Sequence, residues 1–348
     1  KQFLKMNSAK IAVIGFGLIG KKHASIIQSH KELELCGIVE NNKELINEKD
    51  FKCKFFSSIE EIFKTEKIDG AVIATPTPLH VSHAKKFIEK KIPILIEKPI
   101  SNSLKDASDL LDLAKKKSTK ILVGHHRRHN NLIKVAKKNI AEGLIGKIRS
   151  ASTICWFYKP NNYFDKAPWR KKIGAGPISI NLIHDVDLLR YFCGEAKEVY
   201  AITSPSLRKY ENEDLASVIL KYDSGVISTM TVSDSIVSPW SWEMNSGENS
   251  DFPLIKQNCY LIGGSKGSLS IPDLKIWHHE GSEDWTKPLK IKKLDYEIND
   301  PLVDQIKHFK EIIESNVEPI VSDEEGLKSL QVIDAIEQSI KTKKNVNI

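Results

Sequence analysis

With 348 residues, 41% of them hydrophobic, the chain has apolar material for two ordinary cores, and two domains are expected. Its net charge of +7 rests on 52 basic residues, few of them arginine and none gathered into a basic face, so a nucleic-acid reader is not expected, although the charge can steer anionic ligands. No apolar run reaches about 18 residues, the N-terminal stretch is too short for a signal peptide, and the five cysteines are scattered without a C-x-x-C pair. A cytoplasmic enzyme with no membrane span, disulfide framework or zinc site is the default expectation.

The apolar run 11–14 is a predicted strand that breaks into Gly15-Phe16-Gly17-Leu18-Ile19-Gly20 and continues as a helix through residue 28. A strand, a tight turn and a helix N-terminus can hold a dinucleotide pyrophosphate. Gly15 permits the turn, Gly17 lets the backbone approach the phosphates, and Gly20 lets helix and strand pack closely. The next predicted strand, 33–39, ends in Glu40. An acidic side chain there accepts hydrogen bonds from the adenosine ribose hydroxyls and repels a 2′-phosphate. NAD is therefore expected, with NADP still possible because Asn41, Asn42 and Lys43 soften the choice.

Residues 41–50 read as polar and helix-compatible, 53–56 as a short strand, 58–65 as a helix capped by Ser57 or Ser58, and 68–74 as a buried strand. Ala74-Thr75-Pro76 closes that strand, and the prolines start a helix that runs through His80 to about residue 90. Strand 92–96 ends in Glu97-Lys98-Pro99; helix 104–116 and strand 121–123 follow, and the alternation closes in Gly124-His125-His126-Arg127-Arg128. Such alternation predicts a parallel, doubly wound Rossmann sheet, in which ligands sit outside the carboxyl ends of the strands. Every unusual residue of this half falls at such an end. Gly15 to Gly20, Glu40, Ala74, Thr75, Pro76, His80, Glu97, Lys98 and His126 are the candidate cofactor contacts, and Arg127 is a candidate substrate contact.

From residue 129 the pattern changes, which divides the chain into 1–128 and 129–348. A helix over 131–142 leads to strands at 148–157, 199–204, 216–222, 225–232, 258–262 and 268–271. Tyr222-Asp223-Ser224-Gly225-Val226 is a hairpin turn. This half reads as an α+β substrate domain with a mostly antiparallel open sheet. One helix, 177–191, stands apart behind Gly174-Ala175-Gly176, and two C-terminal helices, 301–315 and 323–341, are expected to pack back on the first domain.

A lysine at a strand end, between a carboxylate and a proline, can hydrogen-bond a reacting oxygen beside a nicotinamide and relay its proton, which makes Lys98 the first catalytic candidate. On the helix 177–191, Asn181, His184 and Asp185 lie three and four positions apart. His184 is the second catalytic candidate and Asn181 a substrate contact. His184 and Asp187 lack a third ligand at convincing spacing, so no metal is expected. Tyr163 and Trp169-Arg170, in one aromatic and basic loop, and Trp242, in a second such region with Glu248, suit a polyol or ring substrate as well as ordinary core or subunit contacts.

Together these motifs resemble the Gfo/Idh/MocA oxidoreductases, from the glycine turn through Ala74-Thr75-Pro76, Glu97-Lys98-Pro99 and Gly124-His125-His126-Arg127-Arg128 to the segment 174–187 with its Ile183-His184-Asp185-x-Asp187 helix. The resemblance implies a nicotinamide-dependent dehydrogenase or reductase of sugars, cyclitols or related diols, usually a homodimer or homotetramer built through the second-domain sheet. It matches Lys98 to the family's catalytic lysine, His184 to its helix histidine and Trp169-Arg170 to a cofactor contact. Many relatives carry an aspartate four residues before that histidine; Ile180 stands there instead, with Asn181 beside it, which assigns the hydroxyl and its proton to Lys98 and His184. Two other functions are known on this architecture: a glycosidase that uses tightly held NAD transiently, and a non-catalytic NAD-sensing regulator. The presence of Lys98 and His184 argues against the second.

Overall fold

The aliphatic run after Ser8 forms β1 (Ala9–Ile14), a strand with five of its six side chains buried. In the computed structural model, which describes residues 8–46 and 50–348, it lies at the middle of a six-stranded sheet. The other elements of this half are α1 (Leu18–Ser29), β2 (Leu33–Val39), β3 (Lys54–Phe56), α2 (Ile59–Thr65), β4 (Gly70–Ile73), α3 (His80–Glu89), β5 (Ile94–Ile96), α4 (Leu104–Lys117) and β6 (Ile121–Val123). The strand order is β3-β2-β1-β4-β5-β6 and every pairing is parallel. Because the order reverses between β1 and β4, the loops after these two strands flank the topological switch point, where doubly wound sheets bind ligands.

Two local readings are settled by side-chain hydrogen bonds. Ser58 is the cap of α2: its Oγ accepts from the Glu61 N–H at 3.3 Å, while Glu61 reaches back to the Ser57 N–H at 2.9 Å. The helix-compatible stretch 41–50 shows a 3-10 turn at Lys43–Leu45 rather than an α-helix, and 47–49 lie outside the described residues, as do the 1–7 on which the signal-peptide reading falls. Asn42 explains the change, because its Oδ1 accepts from the Glu44 N–H (3.1 Å) and so offers the backbone an alternative to helix.

The second half contains α5 (Asn131–Ala141), β7 (Ile148–Trp156), α6 (Asn161–Asp165), α7 (Ile183–Cys193), β8 (Ala196–Thr203), β9 (Leu215–Tyr222), β10 (Ile227–Ser233), α8 (Trp242–Asn245), β11 (Tyr260–Gly264), β12 (Gly267–Ile271), β13 (Lys275–His278) and β14 (Lys290–Lys293). Then come α9 (Pro301–Ser315), α10 (Asp323–Thr342) and the short β15 (Val346–Asn347). A nine-stranded sheet runs β14-β13-β12-β11-β7-β10-β9-β8-β15, antiparallel except where β7 pairs with β10. The β9–β10 hairpin closes as expected, with Gly225 at φ +81 and its N–H bonded to Tyr222 O at 2.9 Å. Along β9, Ala216, Val218, Leu220 and Tyr222 are buried while Ile219 is half exposed, the alternation of a sheet with one covered face.

By compactness the described residues up to His129 join Asp300–Leu330 in one unit, and Asn130–Asn299 join Gln331–Ile348 in another. Each unit has its own apolar core. In the first, Val123 N–H donates to Val321 O at 2.9 Å, and Gly70 and Gly326 leave room for Ile313 and Val123. No helix among the described residues is long and apolar enough to cross a membrane.

Candidate functional site

The first unit gathers its candidates on the carboxyl edge of the sheet. Gly15, at φ +93, bonds Val39 O through its N–H, and a Cβ there would lie 2.7 Å from the Ala74 carbonyl and the Thr75 nitrogen. A Cβ on Gly20 would stand 2.1 Å from Gly15 O, so helix and loop touch. Gly17 is different in kind: nothing lies within 4 Å of the position a Cβ would take. It starts α1 with no side-chain cap and no acidic residue in the first turn, which leaves backbone N–H groups and the helix dipole for an anion. Leu18 is exposed and Ile19 packs against the core, whereas the Phe16 ring is buried against Phe51 and Phe55. Phe16 therefore contributes its backbone, and that N–H donates to Glu40 Oε2 at 2.9 Å.

Glu40 also accepts from the Asn42 N–H (2.8 Å). Each oxygen keeps a lone pair for a further donor, the requirement for a ribose diol. Thr75 presents a buried hydroxyl with no hydrogen-bond partner among the described residues. An open phosphate turn, an oriented carboxylate and a polar atom awaiting a partner fit a dinucleotide.

The segment carrying Lys98 is held from both sides. Glu97 is buried, and its Oε1 meets His23 Nε2 at 2.8 Å while Oε2 accepts from the Lys98 N–H at 3.2 Å. Gly124 leaves the space this carboxylate fills, since a Cβ there would be 2.8 Å from Glu97 Oε2. Burial alone would push the Glu97 carboxyl up, but the His23 hydrogen bond and the charges of His23, Lys98 and His126 hold it below the usual carboxylate value. On the other side, His80 spans two loops, with Nδ1 2.9 Å from Pro99 O and Nε2 2.8 Å from Thr75 O. Burial keeps His80 below the ordinary histidine value, against both carbonyls, which favour its charged form. His23 was not singled out in the sequence. The signal available was a histidine on the face of α1 shared by Gly20, Ala24 and Ile27, where an apolar residue belongs. His126 is half-buried on a 3-10 turn; Arg127 is buried, and the neighbouring Arg128 pairs with Glu325 at 2.8 Å.

In the second unit the expected helix 177–191 is not uniform. Ile178–Leu182 form a π-helical turn, and α7 begins only at Ile183. Glu213 governs its start: the carboxylate accepts from the Ile178 N–H at 3.1 Å and occupies the space a Cβ on Gly176 would need. Asn181 and His184 are both buried, and Tyr260 OH donates to Asp185 Oδ1. Asp187 is buried as well, and Arg190 pairs with Glu195 at 2.9 Å.

The aromatic candidates separate. Tyr163 is half-buried under the Arg170 guanidinium, 3.9 Å from the ring centroid, and Arg170 also donates to Tyr163 O at 2.6 Å. Trp169 is 59% exposed. Trp242 is 2% exposed, its indole N–H donates to Glu248 at 3.1 Å, and its ring packs edge-on against Tyr260, which is the core side of the two uses the sequence allowed for it. Lys159, which the sequence did not single out, is 6% exposed and its Nζ donates to Asn181 Oδ1 at 2.7 Å. Burial pulls this lysine below its ordinary value, with Asp234 opposing the shift. Among the described residues no cluster of three His, Cys, Asp or Glu could hold a metal ion.

An oxidoreductase-family model for an NAD-binding Rossmann fold, GFO_IDH_MocA, matches residues 9–125, and the GFO/IDH/MocA C-terminal domain model matches residues 133–270. The chain belongs to the Gfo/Idh/MocA oxidoreductase family. This family member is an NAD-binding, NAD(P)-dependent enzyme with its Rossmann domain first. It is 24% identical to the scyllo-inositol 2-dehydrogenase (NADP(+)) IolW of Bacillus subtilis, over 98% of this chain and 96% of that one. It is 26% identical to the 2,7-anhydro-N-acetylneuraminate hydratase of Escherichia coli, over 74% of this chain and 66% of the relative. The fold is shared with the WlbA dehydrogenase of Bordetella pertussis, solved with NADH and UDP-GlcNAcA, at a TM-score of 0.79 and 21% identity, with 98% of each chain covered.

Proposed function

We propose that this Gfo/Idh/MocA enzyme transfers a hydride reversibly between the nicotinamide of NAD, with NADP as a possible substitute, and a carbinol carbon of a sugar, cyclitol or related cyclic diol. The observation that carries the reading is Lys98 at the end of β5, held by the His23–Glu97 bond on one side and the His80–Pro99 bond on the other. The bound nicotinamide supplies the hydride acceptor at its C4. Lys98 and His184 polarise the reacting oxygen and shuttle its proton as the carbonyl forms. Asn181 orients the substrate, and Tyr163 supplies an apolar face. Glu40 holds the adenosine ribose and sets the preference for NAD, and the Gly17 turn holds the pyrophosphate. Relatives support a polyhydroxylated substrate: one is named for scyllo-inositol and another for a sialic acid derivative.

A homodimer or homotetramer built through the nine-stranded sheet belongs to the same proposal. Supporting it, Tyr200, Ile202, Ile219, Ile227 and Leu261 are 38–58% exposed, each from a strand whose alternate residues are buried.

The test is absorbance at 340 nm with the purified protein, NAD or NADP, and a panel of sugars, inositols, sugar acids and dihydrodiols, with products analysed in parallel. Reduction of NAD by one polyol is the expected result. Product formed without accumulation of NADH would replace it with a redox-neutral reading, which the hydratase relative favours.

A further inference from the structure

The main chain at Lys159 is fixed before its side chain does anything. Its N–H donates to Asp234 O at 2.9 Å, and its carbonyl accepts from Arg208 at 2.9 Å, while Arg208 also reaches Asp234 Oδ1 at 2.6 Å. From this anchor the buried ammonium donates to Asn181 Oδ1 at 2.7 Å, with Asp234 Oδ2 at 3.7 Å and the Tyr163 ring centroid at 5.3 Å. An ammonium carries donors only, so the amide of Asn181 must turn its oxygen toward Lys159 and its NH2 away. That NH2 has no hydrogen-bond partner among the described residues, although Asn181 is 8% exposed. Burying a lysine is unfavourable; the Asp234 carboxylate offsets part of that cost, yet the direct hydrogen bond goes to the amide three positions before His184, which points to a use for that amide.

We propose that Lys159 is a positioning residue for substrate recognition, fixing Asn181 as a hydrogen-bond donor, so that the substrate offers an acceptor oxygen at this point. The acceptor is a hydroxyl lone pair, a carbonyl or a carboxylate oxygen. The assignment rests on the proposed role of Asn181 as a substrate contact, and it deepens that role by giving its polarity. A carboxylate in place of the amide keeps the bond to Lys159 and strengthens it, yet has nothing to donate.

The experiment uses the full chain with NAD and whichever panel substrate the wild type oxidises, and compares Asn181→Asp, Asn181→Leu, Lys159→Met and the double variant Lys159→Met/Asn181→Leu. NADH binding and thermal midpoint are measured for each as controls of folding. Asn181→Asp is expected to fold at least as stably as wild type and to lose about 100-fold or more in kcat/KM, mostly through KM. Lys159→Met is expected to lose about 10- to 100-fold in the same way, and the double variant to match Asn181→Leu within about threefold, because Lys159 acts only through the amide. Near-wild-type kcat/KM in Asn181→Asp, or additive losses in the double variant, would overturn the assignment. Should Lys159→Met not fold, the aspartate variant alone decides the polarity. A wild type silent toward the whole panel would count against the oxidoreductase reading itself, a different failure from an active wild type with an active Asn181→Asp.

Discussion

His80 ties two loops of the first unit together. Its two ring nitrogens join the loop after β4 to the loop after β5, and so connect the cofactor edge to the segment that carries Lys98. Because burial holds its folded value below that of a free histidine, the unfolded chain binds a proton more readily. The resulting stability is fully present above the unfolded value of 6.5 and is lost as pH falls through the folded one. Denaturant midpoints of the wild type should therefore decline as pH falls below about 6.5, and His80→Gln should flatten most of that decline. A residual slope belongs to His83, which is shifted the same way by burial. An unchanged slope in His80→Gln would remove His80 from the acid response.

At the scale of elements, the glycine turn separates two roles that a G-x-G-x-x-G pattern alone merges. Gly20 is required by packing, whereas open space surrounds Gly17, the position proposed to face the pyrophosphate. A Gly20→Ala side chain would meet Gly15 O at 2.1 Å, costing about 1–3 kcal/mol or more and lowering the thermal midpoint with or without cofactor. Gly17→Ala meets nothing within 4 Å, so the midpoint without cofactor should hold while NADH binding weakens by about tenfold or more, one pyrophosphate approach being blocked. Calorimetric and fluorescence titrations of both variants check this, and equal effects of the two on stability would contradict the distinction. The same element was the most legible part of the sequence, because strand, turn and helix signals are all local. Strands β1, β2, β4, β5 and β6 were legible for the same reason, being short apolar runs ending in unusual residues. Strand β14 was not, since all four of its residues are exposed and carry no alternation. The π-helical turn at Ile178–Leu182 depends on Glu213, and the buried state of Lys159 depends on Asn181 and Asp234. His23 and Glu97 are likewise far apart in sequence. Pairings of this kind arise only when the chain is folded.

For the whole molecule, the nine-stranded sheet carries the proposal of a homo-oligomer. Ile219 is 48% exposed and pairs across the hairpin with Thr229, which is also on the uncovered side. A charge there would be desolvated by a second copy and tolerated by a monomer. Ile219→Glu is expected to reduce the mass measured by light scattering to that of the 39.3 kDa chain while leaving its circular dichroism unchanged. A wild type that already runs as a monomer would end the proposal.

In the proposed reaction Lys98 moves the proton that accompanies hydride transfer, and Lys98→Met removes that group. Single-turnover NAD reduction and NADH binding are measured on the same preparation, with the substrate found from the panel. Binding is expected within about threefold of wild type, with a rate lower by about 100- to 10,000-fold, the usual contribution of a positioned acid–base group. A rate within tenfold of wild type would contradict that role and remove Lys98 from the chemistry.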